Sequence, residues 1–80
     1  MKLKDVPEKE FEALTLASRE LITKVVTDVC NTFGPECATG SIIREILDIK
    51  GYEMKSIDDA ILSAAYAVRA VHRWKDAHQG

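Results

Sequence analysis

The sequence predicts an all-α fold, a three-helix bundle with a long N-terminal helix that completes its core by dimerisation. Three observations predict it. Apolar residues recur every three or four positions in three segments, the period of a helix with one buried face. No segment alternates apolar and polar residues as a half-buried strand does. Glycine, proline and capping residues punctuate the two boundaries between the segments.

The first helix is expected over residues 6–33. Asp5 can cap it, Pro7 is tolerated in its first turn, and Glu8 stands where a capping box needs an acid. Phe11, Leu14, Leu21, Ile22, Val25, Val29 and Phe33 then fall on one broad face. At about 1.5 Å per residue the helix spans about 42 Å, which two shorter helices cover poorly, so a second chain is expected to help. Ser18 interrupts the face and leaves room for a break or a close helix approach. Gly34-Pro35 ends the helix, because glycine suits the left-handed residue after a helix and proline cannot extend the ladder.

The second helix is expected over residues 42–50, capped by Thr39 or Ser41 and ended by Gly51. Ile42, Ile43, Ile46, Leu47 and Ile49 mostly share a face. Tyr52 and Met54 in the connector are expected to fold back as core plugs. The third helix is expected over residues 57–77, opened by a Ser56/Asp59 capping box. Asp58 and Asp59 suit its positive end, and Arg69, His72, Arg73, Lys75 and His78 its negative end.

This third helix is apolar on two sides. With Ile57 at the origin of a helical wheel, Ile61, Ala64, Val68 and Val71 fall within about 40° of it, the expected core stripe. Leu62, Tyr66, Ala70 and Trp74 form a second stripe centred about 200° away, with Arg69 and Arg73 beside it. A helix apolar on both sides either sits centrally in a bundle or meets another chain. Leu, Tyr, Trp and Arg also have the composition of an interface centre. Leu62, Tyr66, Arg69, Ala70, Arg73 and Trp74 are therefore the candidate partner-binding residues. The plainer alternative is that Tyr66 and Trp74 close the edge of the chain's own core with their polar atoms wet.

Composition narrows the classes of function. Eighty residues, 46% apolar and 30% charged, make one folded domain near the lower size limit for an unstapled core. The formal charge is −2; residues 1–40 hold five basic and seven acidic side chains, residues 41–80 six of each. No basic excess points to nucleic acid. "MKLKDVPEKEFEAL" lacks the apolar stretch of a signal peptide, and no run is long enough to span a membrane. The expectation is a small acidic cytoplasmic protein with reduced cysteines.

Catalysis, cofactor and metal are all expected to be absent. Glycine-rich phosphate loops and nucleophile elbows are missing, and adjacent Asp58 and Asp59 diverge on a helix. Cys30 and Cys37 are spaced C-x6-C, and His72 and His78 lie six apart on one helix. Six steps turn about 240°, so the two imidazoles point apart. A Cys30–Cys37 disulfide across the Gly-Pro turn is sterically conceivable, but a loop so short gains little from it.

Residues 41–65 have the outline of a helix-turn-helix. Two carboxylates, however, stand where its recognition helix meets phosphates, and the positive charge lies at the far end with Arg69, Arg73, Lys75 and Trp74. The acidic start of the first helix, Glu8, Glu10 and Glu12, offers only a weak signal for a basic partner surface. The functional expectation is a non-enzymatic protein–protein interaction module, such as an adaptor, regulator or inhibitor of a larger protein, that also forms a homodimer. A nucleic-acid-binding regulator using the basic end of the third helix is the alternative, and a purely structural dimeric bundle the third.

Overall fold

In the computed structural model, which describes residues 6–78, the predicted first helix is broken. A 3₁₀ segment covers Glu8–Ala13, and α1 begins only at Leu16 and runs to Phe33. Leu14 and Thr15 between them are extended. The reason is local. Threonine is a poor interior helix residue and a good cap, and Thr15 Oγ1 accepts the Ser18 N–H at 3.1 Å while its own hydroxyl donates to Ser18 Oγ at 2.9 Å. Ser18, the residue that interrupts the apolar face, is thus the partner of the residue that makes the break. The break turns Phe11 and Leu14 into the core and carries the 3₁₀ segment across the third helix. An 18-residue α1 spans about 27 Å, which fits a molecule of 34 × 28 × 22 Å. The 42 Å face that asked for a second chain does not exist. Asp5, the predicted cap, lies outside the described residues.

Ile22, Val25, Val26, Val29 and Cys30 are the buried stripe of α1, at the three- and four-residue spacing of a core face. Gly34 ends the helix with φ +96° and ψ 157°, and its N–H donates to the Cys30 carbonyl at 3.0 Å. A 3₁₀ turn over Pro35–Cys37 follows. That backbone region is essentially reserved for glycine, and a Cβ there would also meet the Glu36 carboxylate at 2.6 Å. Gly34→Ala is therefore expected to lose about 1–3 kcal/mol in urea unfolding. Gly40→Ala, where a Cβ meets nothing within 4 Å, is expected to be neutral or to gain up to about 1 kcal/mol.

Thr39 caps α2, which covers Gly40–Ile49 and buries Ile43 and Leu47. At its end the Tyr52 N–H reaches the Leu47 carbonyl at 2.9 Å and the Gly51 N–H the Asp48 carbonyl at 3.0 Å. With Gly51 at φ +82° these two bonds form a Schellman motif, so the glycine ends the helix as the sequence predicts. Tyr52 packs on the core, and its hydroxyl lies 2.6 Å from Ser63 Oγ. Ser63 is buried and donates to the Asp59 carbonyl at 2.7 Å, so the tyrosine is the donor to Ser63.

The third helix, α3, covers Ile57–His78. Ser56 Oγ accepts the Asp59 N–H at 3.1 Å, and the Asp59 carboxylate accepts the Lys55 N–H at 3.1 Å. Both residues of the predicted box therefore act as caps, the carboxylate reaching one residue further back. The described chain is all-helical, with α1 packed on both α2 and α3.

The phase of α3 differs in part from the predicted one. Ala65 and Ala67, expected to widen the core stripe, are buried, but the large side chains of that stripe are not the ones that pack on the core. Leu62, Tyr66, Ala70 and Trp74 pack against the core, and Ser63, Ala65 and Ala67 are buried beside them. Ile57, predicted to face inward, is 80% exposed. Ile61, Ala64 and Val68 are half-buried and lie outside the side chains that pack on the core; of that stripe Val71 alone joins them. Size explains the choice. Two aromatic rings carry more apolar area than branched aliphatics, and the small Ser63 and Ala67 let α3 approach its neighbours closely. Each aromatic also finds a partner inward.

Candidate functional site

Tyr66 meets the Phe11 ring edge-to-face, with centroids 5.2 Å apart at 76°. The Arg69 guanidinium lies 5.5 Å from the Phe11 centroid and 5.3 Å from that of Tyr66, a cation over two aromatic faces. Trp74 donates its Nε1–H to Asn31 Oδ1 at 2.9 Å and stacks on His78 at 3.9 Å and 11°. His78 Nδ1 in turn lies 2.8 Å from the Trp74 carbonyl oxygen.

Of the six candidate partner-binding residues, Leu62, Tyr66, Ala70 and Trp74 are thus engaged with the protein's own core and do not form an outer face. Arg69 and Arg73 both converge on Glu8 Oε1. Arg69 forms an ion pair with it, and Arg73 Nη2 lies at 3.4 Å. The periodicity correctly shows α3 apolar on two sides, but it leaves undecided which side is occupied.

The less covered face is the one the sequence assigns to the core, with Ile57 exposed and Ile61, Ala64 and Val68 half-buried. Ile57, Ile61, Ala64 and Val68 follow one another at spacings of four, three and four residues, the seam of a two-stranded coiled coil. Beside it lies an open groove of 330 Å³ between α2 and α3, with Ile43, Leu47, Met54, Ala60 and Ala64 among its walls and Arg44 at its rim. Met54, predicted as a core plug, lines this groove instead. Farther round α2, Ile49 is 79% exposed and Ile42 is also exposed.

Cys30 is buried in the core and Cys37 half-buried, both free thiols. Burial pushes the Cys30 thiol up; Lys75 acts against that and Glu36 adds to it. A thiol held protonated is a poor nucleophile. Modification by an aromatic disulfide reagent is expected to label Cys37 first, with Cys30 reacting only as the protein unfolds. The upward shift also fixes a sign. The unfolded thiol ionises first, so Cys30 contributes nothing below the ordinary thiol range and subtracts stability as pH rises through it. Among the described residues no three His, Cys, Asp or Glu side chains gather as a metal site would need, and no helix is long and apolar enough to cross a membrane. No family model, curated protein or solved structure matches the chain.

Proposed function

We propose that the protein is a non-enzymatic helical interaction module whose outer face of α3 pairs with a second copy of the same chain. The observation that carries this is the Ile57–Ile61–Ala64–Val68 seam, coiled-coil in spacing, with Ile57 exposed and the other three half-buried without joining the side chains packed on the core. One apolar face of α3 is satisfied within the chain; the other needs a partner. Ala60 and Ala64 allow close approach. The two ends of α3 carry opposite net charge, with Asp58 and Asp59 at the start and Arg69, Arg73 and Lys75 against Asp76 near the end. Antiparallel pairing centred near Ala64 sets Asp58 of each copy beside the basic end of the other, whereas parallel pairing stacks like charges. The helix-turn-helix alternative has less support, since Arg69 and Arg73 already face Glu8, Trp74 is stacked on His78, and Asp58 and Asp59 head α3.

Cysteine cross-linking tests the pairing. In a Cys37→Ser background, Ala64→Cys is expected to oxidise to a covalent dimer. Ile57→Cys is not, because antiparallel helices hold those positions about 20 Å apart. Equal yields from both would indicate parallel pairing, and no cross-link from either would exclude the seam.

A further inference from the structure

A second site lies on another side of α3, where the 3₁₀ segment, α1 and α3 meet in an open cleft of 430 Å³. Lys9, Arg19, Arg69 and Arg73 line it together with the carboxylates of Glu8 and Glu12. Four cations against two anions leave two positive charges in excess, on a chain whose net charge is −2. Such a concentration of like charge is unfavourable unless something offsets it. Glu8 offsets part of it, since one oxygen of its carboxylate serves both Arg69 and Arg73. Arg19 is not offset in the same way. It has no carboxylate partner among the described residues. Its Nε is unpartnered but closed off from solvent, so any contact with a ligand in the cleft falls to its two terminal nitrogens. Phe11 and Tyr66 form an aromatic wall that holds the Arg69 plane in place.

We propose that this cleft binds a phosphate dianion, either free or as a phosphomonoester, and that Glu8 occupies part of the site as an internal competitor. A phosphate at neutral pH carries about two negative charges and several acceptor oxygens, which matches the excess charge. Arginine forks present paired N–H groups in the geometry such oxygens take. The two carboxylates of Glu8 and Glu12 cannot neutralise three guanidiniums and a lysine. Glu8 lies on a short 3₁₀ segment rather than a long helix, and it is an exposed side chain, so a ligand can displace it without disturbing the core. The site does not depend on the α3 seam, so self-association and anion binding stand or fall separately.

Titration of isotopically labelled full-length protein, followed by amide and arginine side-chain chemical shifts at constant ionic strength, tests this. The probes are inorganic phosphate, phenyl phosphate and acetate. Phosphate is expected to shift Arg19 and Arg73 signals. Glu8→Gln is expected to tighten phosphate binding at least fivefold, and Arg19→Gln with Arg73→Gln to weaken it at least tenfold. Matching far-UV circular dichroism melts separate these effects from loss of fold. Tighter binding of phenyl phosphate than of phosphate identifies a phosphorylated group on another molecule as the ligand; equal binding identifies the free anion. Acetate binding as tightly as phosphate, or a Glu8→Gln affinity equal to wild type, would overturn the proposal.

Discussion

Replacing Tyr66 and Trp74 together with glutamate is expected to unfold the protein. Both rings pack on the core, and each removal is expected to lose about 3 kcal/mol, the low end of the range for aromatic side chains because both are half-buried. The Trp74 substitution also leaves Asn31 without its donor, and the Tyr66 substitution strips Arg69 of one of its two aromatic faces. Each new carboxylate would stand against apolar side chains and be poorly solvated. The summed loss, about 6 kcal/mol or more, reaches the whole stability of many small domains. Far-UV circular dichroism at 25 °C checks it. A helical spectrum with a cooperative melt close to wild type would mean that these residues face outward after all.

The sequence reveals the ends of the helices far better than their facing. Gly34, Gly51 and Ser56 act through their own backbone and nearest neighbours, so a reader needs only a few adjacent residues to place them. Thr15 is harder. The apolar period runs across it without a gap, and its cap partner is Ser18 rather than the glutamate that makes a capping box recognisable. The phase of α3 is hidden for a different reason. Two stripes of similar apolar content share one helix, and periodicity reports that both exist without ranking them. What ranks them is tertiary: the Phe11 edge for Tyr66, the Asn31 oxygen for Trp74, the small residues that admit close packing. One signal was available in advance, since Tyr66 and Trp74 carry the larger area and α1 supplies a polar residue, Asn31, two positions from the end of its face. The arginine cleft had no such signal. It joins Glu8 to Arg73 across 65 residues, and only the break at Thr15 brings the 3₁₀ segment to α3.

Charging the outer seam is expected to have the opposite consequence, a folded chain that no longer pairs. Ile61 and Val68 lie outside the packed core, and glutamate has the higher helix propensity. Both are half-buried, so Ile61→Glu with Val68→Glu should lower folding stability by about 1–2 kcal/mol together, less than the core pair and short of unfolding the chain. In a dimer the same two substitutions bring four carboxylates together across an apolar seam, and affinity should fall at least about 100-fold, a change of about 2.7 kcal/mol. Sedimentation equilibrium from about 1 to 100 µM decides the matter most directly. Wild type is expected to rise from monomer to dimer mass across that range while the folded double variant stays monomeric. A wild type that remains monomeric throughout, or a double variant that dimerises equally well, would contradict the assignment of the outer α3 face as the site of self-association.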